Sequence, residues 1–422
     1  MPELSPNAPP ATVPAPSDQI AKLGSTGQRD YAYYRSVFRD HPMPFAFLDR
    51  DLLDANIRLI ASRAGGKRIR IASKSVRSVA VLRHILASDA CFQGIMCFTA
   101  AEAVFLAQQG FDDLLMGYPI FHEHAIALIA KATLAGAHIT LMVDSVAHLD
   151  QIERVAQAHG VRLPVCIELD MSLNLPGLRF GVWRSPIHTA EQAQPVIQRI
   201  RTAKAVYLDG IMGYEAQVAG LGDKLPGAFV KNAVVRRLKQ RSIHEVAARR
   251  AALVALIAAS GISLRFVNGG GTGSLATTCT EPHVTEITVG SGFYAPGLFD
   301  HYRDFRYQPA AGYAIEIVRQ PSPGRYTCLG GGYIASGAVG PEKQPTVYLP
   351  TGARLEALEG AGEVQTPIRY AGPVALHLGD PIFLRHSKAG ELCERFTQLL
   401  VVANGAMVDT FTTYRGDGKC FL

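Results

Sequence analysis

The run Arg68-Ile-Arg-Ile-Ala-Ser-Lys74 sets Ile69, Ile71 and Ser73 against Arg70 and Ala72 and then stops on a lysine. A two-residue period of β-branched side chains reads as a short strand, with Lys74 at its C-terminal tip. Seven further runs of the same texture follow: "GIMCF" (94–98), "DLLMGY" (113–118), "HITLMVDS" (138–145), "LPVCIELDM" (163–171), "AVYLDGIMGYE" (205–215), "LRFVNGGG" (264–271) and "EITVGSGF" (286–293). Between them lie Ala- and Leu-rich stretches of helical period, among them "SVAVLRHILAS", "AAEAVFLAQQG" and "VAHLDQIERVAQAHG", with longer ones from Thr189 to Lys204 and from Lys231 to Ser260. Strands apolar on both faces, alternating with helices eight times, predict an α/β fold, a (β/α)8 TIM-like barrel. A doubly wound open sheet fits less well, because eight units is the number that closes.

Ahead of the barrel, "FAFLD" (45–49) reads as a strand able to pair with the later β-domain. A helix, "RDLLDANIRLIASRAG", follows it, for which Asp49 is the N-cap and Asp51 and Asp54 suit the positive end of the dipole. Past residue 305 the texture changes to short strands punctuated by Gly and Pro, such as "GYAIEIVRQ", "GRYTCLGGGYIAS" and "DPIFLRHS". The expected division is a Pro/Ala-rich disordered tail over 1–30, a barrel over 31–305 and a C-terminal β-domain over 306–422.

Composition narrows the class. The 422 residues are 48% hydrophobic and only 18% charged, which suits a globular enzyme with a deep site. A net charge of +6 is spread thinly, and the basic cluster "VVRRLKQR" (234–241) has no interleaved aromatics, so a solvated helix face is expected there and no nucleic-acid surface. Seven scattered cysteines without a CxxC pair suggest neither a disulfide framework nor a four-cysteine zinc site. The opening "MPELSPNAPPATVPAPSDQ" lacks the regions of a signal peptide, and no run of about 18 apolar residues occurs. A cytoplasmic protein with no membrane segment is the expectation.

In a barrel the chemistry gathers at the C-terminal ends of the strands, which is where Lys74 falls. A partly desolvated lysine offers a free amine that can attack a carbonyl and form a Schiff base, although a lysine at a strand tip is more often a surface residue. The seventh strand ends in "NGGGTGS" (268–274), where glycines let backbone amides approach a phosphate and Thr272 and Ser274 offer hydroxyls, or where the chain simply turns. The eighth ends in "GSGFY" (290–294), with more small donors at the same place. A phosphate site and a Schiff-base lysine together describe pyridoxal 5'-phosphate, held at both ends.

With these features and a C-terminal β-domain, the chain resembles the alanine racemase-like, fold type III, pyridoxal-phosphate enzymes. The resemblance is nearest to the D-threonine aldolase and D-serine dehydratase branch and the bacterial amino acid deaminase/aldolase proteins. It is carried from about Tyr31 to Leu422 by "RIASKS", "MCFTAAEA", "LDMSLNLPGLRFGV", "DGIMGYEAQVAG", "VNGGGTGS", "TEITVGSGFYAPGLFD" and "FLRHSKAGELCERF".

The resemblance implies that Lys74 bonds the cofactor aldehyde and that Gly270, Gly271, Thr272, Gly273 and Ser274, with Ser291 and Gly292, hold the phosphate. It implies that Arg179 faces the cofactor or the substrate carboxylate, with a structural salt bridge as the equal alternative. Tyr214 would pack on the cofactor ring, or serve only as barrel packing, and Gln217 would bond its 3'-oxygen. It implies a homodimer whose β-domains complete one another's sites. In that branch a divalent ion, Mn2+ or Zn2+, is held by a histidine and, two residues on, a cysteine or aspartate. Here His386 is followed by Lys388, which cannot ligate while protonated, so Cys393 or Glu391 would have to serve, or His386 is an ordinary hydrogen-bonded residue.

The activity so implied is a lyase acting on β-hydroxy D-amino acids. Loss of the β-hydroxyl proton breaks Cα–Cβ and gives glycine and an aldehyde, whereas loss of the Cα proton with departure of hydroxide gives a keto acid and ammonia. Two alternatives stand beside it: an amino acid racemase, which needs a second base, normally a tyrosine from the β-domain of the other subunit, for which Tyr326 and Tyr333 are available, and a non-catalytic carrier of the cofactor.

Overall fold

The computed structural model describes residues 29–338, 340–388 and 390–422. Apart from Arg29 and Asp30, the segment expected as a tail lies outside the described residues. All eight expected strands form and close into one parallel barrel: β2 (Arg68–Ala72), β3 (Phe92–Cys97), β4 (Leu114–Pro119), β5 (Ile139–Val143), β6 (Leu163–Glu168), β9 (Val206–Gly213), β10 (Phe266–Gly269) and β11 (Glu286–Val289). The last strand pairs with the first, Ile69 opposite Ile287 and Ile71 opposite Val289. Between β6 and β9 the chain adds a two-stranded hairpin, β7 (Leu173–Leu175) and β8 (Leu178–Phe180).

Burial on both faces explains the apolar runs. Every residue of β5, β6, β10 and β11 is buried. The outward side chains, Ile69 and Ile71 among them, join the large core shared with the helices, while Leu115, Met142, Cys166, Met212 and Phe266 fill the lumen as a separate cluster. Arg70 takes the lumen side of the alternation, fully buried. Its guanidinium bonds Glu286 at 2.7 Å and Asp113 at 3.1 Å, and Arg265 joins Asp113 to Asp209. Paired charges thus seal the N-terminal end of the barrel, and removing one partner of such a buried pair costs about 3–5 kcal/mol. The opposite end is left for a site.

Local signals fix the helices as well. Asp49 caps the helix Arg50–Ser62 by accepting from the Leu52 amide at 3.2 Å, and Thr189 with Gln192 forms a capping box on Ala190–Thr202. The stretch from Lys231 to Ser260 is a single helix, Phe229–Ala259. Among the described residues no helix is long and apolar enough to cross a membrane.

The C-terminal region is a nine-stranded sheet whose main path runs β15 (Arg354–Leu355), β16 (Gln365–Arg369), β13 (Arg325–Leu329), β12 (Ala311–Ser322), β1 (Phe45–Asp49), β18 (Gln398–Ala403) and β19 (Ala406–Thr412). Beside it, β17 (Pro381–Arg385) pairs with β12 and with β14 (Thr346–Leu349). The strand preceding the barrel therefore lies inside this sheet, antiparallel to β12 and parallel to β18.

Candidate active site

At the C-terminal ends of the barrel strands lies a cavity of about 270 Å³, lined by Lys74, Tyr118, Arg184, Tyr214 and Thr272 from the barrel and by Lys388 from the β-domain, among others. A larger hollow of about 710 Å³, bordered by Tyr31, Arg35, Phe45 and Asp380, contains none of the residues expected to carry chemistry.

Lys74 sits on a single turn, Ser73–Ser75, directly after β2. That turn is pinned on each side: the Ser73 hydroxyl donates to the Met96 carbonyl at 2.9 Å, the Ser75 and Ser291 hydroxyls are 3.2 Å apart, and Arg77 Nε donates to the Lys74 carbonyl at 2.9 Å. The backbone under Lys74 is thereby fixed while Nζ reaches into the cavity and donates to Tyr118 Oη at 2.9 Å. Burial would raise the Tyr118 phenol, but the charges of Lys74 and Arg184 beside it prevail and hold it below the ordinary tyrosine value.

Arg184 is the arginine of this cavity. It pairs with Glu168 at the end of β6, donates to the Gly117 carbonyl at 2.9 Å, and lies 4.9 Å from the Tyr118 ring centroid and 5.8 Å from that of Tyr214. Burial raises the Glu168 carboxyl in spite of Arg184. Arg179, the arginine expected from the sequence, does not line the cavity. It is on the β7–β8 hairpin, where Asp170 holds its Nη2 at 2.7 Å and Trp183 covers its guanidinium at 4.1 Å.

The glycine loop has an inner and an outer layer. Gly270, Gly271, Thr272 and Ser291 line the cavity; Gly273, Ser274 and Gly292 stand behind it. The Ser274 hydroxyl accepts from the Gly271 amide at 3.0 Å, and the Thr272 hydroxyl from the Gly292 amide at 3.1 Å. Among the described residues the amides of Thr272 and Gly273 have no protein acceptor. Close approach also demands glycine here: a Cβ on Gly273 would lie 2.2 Å from the Ala219 carbonyl oxygen, and one on Gly271 would lie 2.8 Å from Ala219 Cβ and 3.2 Å from the Tyr214 ring.

The whole loop hangs on Glu215, which accepts from Gly270 N at 3.2 Å, from Ser274 Oγ at 2.9 Å and from the Thr278 hydroxyl, and pairs with fully buried Arg250 at 2.8 Å. Tyr214, just before it, lines the cavity, and burial raises its phenol. Gln217 does not reach the cavity, since its amide is spent on the Met171 carbonyl at 2.5 Å.

The candidate metal ligands do not assemble. His386 and Cys393 are both buried and neither lines the cavity. The His386 ring lies 6.4 Å from that of Tyr294, and the Cys393 thiol points at the Val76 carbonyl, 3.4 Å away. Among the described residues no three His, Cys, Asp or Glu side chains group as a metal site. The donor set present does not fit a divalent ion at the cavity, where Lys388 and Glu391 stand instead. Tyr326 and Tyr333 are also outside it: Tyr326 is buried on β13, and Tyr333 packs on Tyr313 and Phe396.

Sequence reasoning passed over Tyr118, Arg184 and Glu215. Tyr118 carried the signal used for Lys74, a polar side chain at the C-terminal tip of a counted strand, and Glu215 follows Tyr214 just past the end of β9. Arg184 had none, because it lies in an irregular stretch after the hairpin.

Residues 48–296 match the family described as "Alanine racemase, N-terminal domain". The 3-hydroxy-D-aspartate aldolase of Paracoccus denitrificans strain Pd 1222 is 26% identical over 252 residues, which cover 59% of this chain and 59% of that protein. The chain thus spans about three fifths of the length of the curated relatives it matches. Among solved structures, D-threonine aldolase from Filomicrobium marinum superposes with a TM-score of 0.75 at 17% identity, over 89% of this chain and 95% of that one. D-threo-3-hydroxyaspartate dehydratase from Delftia sp. HT23 gives a TM-score of 0.67 at 20% identity, over 91% and 99%. At such identities these likenesses speak for the fold. With the family match extending over more than half its length, the chain belongs to the alanine racemase N-terminal domain family.

Proposed function

We propose that this chain is a pyridoxal 5'-phosphate-dependent lyase that cleaves β-hydroxy D-amino acids between Cα and Cβ, giving glycine and an aldehyde. One observation carries the reading: Lys74 and the glycine-loop residues Gly270, Gly271 and Thr272, the last with an open amide, line one cavity, an amine for an aldehyde and donors for a phosphate. The alanine racemase-like fold family is pyridoxal-phosphate dependent, which agrees with this. When bound, the cofactor supplies the electron sink that accepts the electron pair of the broken Cα–Cβ bond.

The side chains present supply the rest. Tyr118 Oη, lowered by its cationic neighbours, takes the proton of the substrate's β-hydroxyl as the carbonyl of the leaving aldehyde forms. Lys74 Nζ, 2.9 Å from that oxygen, relays the proton to Cα and so completes glycine. Arg184, fixed by Glu168 between Tyr118 and Tyr214, positions the α-carboxylate. Loss of hydroxide instead of an aldehyde is the dehydratase outcome. It asks for an acid at the β-oxygen, whereas Tyr118 is tuned as a base. A racemase needs a second base from the β-domain of the other subunit; within their own chain Tyr326 and Tyr333 do not line the cavity.

The test is an assay of the cofactor-loaded protein with D-threonine, D-serine and D-3-hydroxyaspartate, following glycine, aldehyde, keto acid and ammonia separately. Glycine and aldehyde in equal amounts are expected. Keto acid with ammonia would replace the retro-aldol reading by a dehydratase, and turnover that survives Lys74→Ala would end both.

A further inference from the structure

Among the side chains lining the cavity, the basic ones are Lys74, Arg77, Arg184 and Lys388, against one carboxylate, Glu391. Two of the four cations are neutralised from behind: Arg77 by Glu394 and Arg184 by Glu168. Lys74 faces a phenol. Lys388, half-buried, has only the Ser336 carbonyl, at 3.5 Å, and among the described residues no carboxylate lies within ion-pair distance of it. Glu391, on the same stretch of chain, is occupied with the Ser336 amide at 2.9 Å. Once Lys74 is committed to the cofactor aldehyde, Lys388 is the remaining cation of the cavity with no carboxylate in ion-pair contact among the described residues, Glu391 acting on it only from a greater distance.

Its place says which part of a substrate it meets. Lys74 marks where Cα sits, and the glycine loop and Arg184, both from the barrel, take the phosphate and the α-carboxylate. Ser336, Lys388 and Glu391 come from the β-domain and line the same cavity, which leaves them for the rest of the substrate. A partly desolvated ammonium with free donors gains most from a carboxylate and less from a neutral group.

We infer that the Lys388 ammonium receives an anionic group on Cβ of the substrate, so that D-amino acids with a carboxylate beside the β-hydroxyl are preferred over neutral ones such as D-threonine and D-serine. The cation on this side of the cavity is therefore part of the chain, at the position where the donor set fails to make a metal site. This inference rests on the reading of the cavity as one for β-hydroxy D-amino acids.

The deciding measurement uses ligands that cannot be cleaved. D-Aspartate and D-asparagine lack the β-hydroxyl and differ in charge at nearly equal shape, and their binding to the cofactor-loaded protein can be followed by calorimetry. The wild type is expected to prefer D-aspartate by about 10-fold or more, Lys388→Met to erase the preference and Lys388→Arg to keep most of it. In turnover, Lys388→Met should lower the kcat/KM ratio of D-3-hydroxyaspartate to D-threonine by a similar factor, through KM. Equal affinity for the two ligands in the wild type, or a preference that persists in Lys388→Met, overturns the inference. A preference that depends on Lys388 in a protein that cleaves no β-hydroxy D-amino acid would overturn the proposed reaction and leave the anion site standing.

Discussion

The ammonium of Lys74 donates to the phenolic oxygen of Tyr118 across 2.9 Å, joining the tips of β2 and β4 over the mouth of the barrel. Tyr118→Phe removes the oxygen and keeps the ring against Arg184. We expect kcat to fall about 100-fold with cofactor absorbance retained. Because the Tyr118 phenol titrates below the ordinary tyrosine range and must be ionised to act as a base, wild-type activity should rise with pH through that transition. A pH–rate profile of the variant should lack that limb, and an unchanged profile would assign the base elsewhere.

The two arginines of the stretch 179–184 give opposite expectations. Arg184→Met strips a buried carboxylate, Glu168, of its partner and the cavity of a cation. It should cost about 3 kcal/mol of stability and at least 10-fold in kcat/KM. Arg179→Met acts outside the cavity on the hairpin, and kcat/KM should stay within about 3-fold of wild type. Paired melting curves and steady-state kinetics test both, and the reverse order would return the cofactor-facing role to Arg179.

Glu215→Gln exchanges an acceptor of several hydrogen bonds for an amide and leaves Arg250 with Glu281 as its remaining carboxylate partner. The glycine loop should loosen. A loss of about 2–4 kcal/mol in stability and about a 10-fold faster release of cofactor, read by dialysis and absorbance, are expected. Cofactor release at the wild-type rate would show that the loop holds its shape without Glu215.

Glu102 carries a pH signature. It is buried, accepts from the Phe98 amide at 2.7 Å and the Tyr414 hydroxyl at 2.9 Å, and burial raises its carboxyl to about 7. A carboxyl raised in the folded state binds a proton that the unfolded chain has released above its ordinary value. The associated stability is complete below about 4.5 and is lost as pH rises toward about 7, at most about 3 kcal/mol. Glu102→Gln should flatten the change in melting temperature between pH 5 and pH 7.5 relative to wild type. Parallel curves for the two proteins would refute the assignment.

Much of this fold was legible because a closed parallel barrel buries its strands on both faces, and β-branched runs such as Ile69–Ile71 or Ile139–Val143 announce that directly. Lys74 and Thr272 were legible through position, at the ends of counted strands. What escaped was set by tertiary pairing across long separations. Glu215 and Arg250 are 35 residues apart, one at a strand tip and one inside a long helix, and nothing local marks either as the other's partner. The hairpin β7–β8 turns Arg179 aside and leaves Arg184 to enter the cavity, a choice that depends on Asp170 and Glu168 and not on the spacing of the arginines. The strand of Phe45–Asp49 shows the same limit: it reads as a strand able to pair with the β-domain, but nothing in its five residues names β12 and β18 as the neighbours it takes.

That strand has a consequence for biosynthesis. β1 leaves the ribosome before any barrel strand, yet its two neighbours, β12 and β18, are made more than 260 and 350 residues later. The hydrogen-bonding edges of Phe45–Asp49 must therefore wait through the synthesis of the entire barrel, and the sheet can close only when the final stretch emerges. A chain cut near residue 305 would keep the eight barrel strands but strand β1 with both edges bare, an invitation to pair with another copy. The order of translation makes β18 the lock on β1.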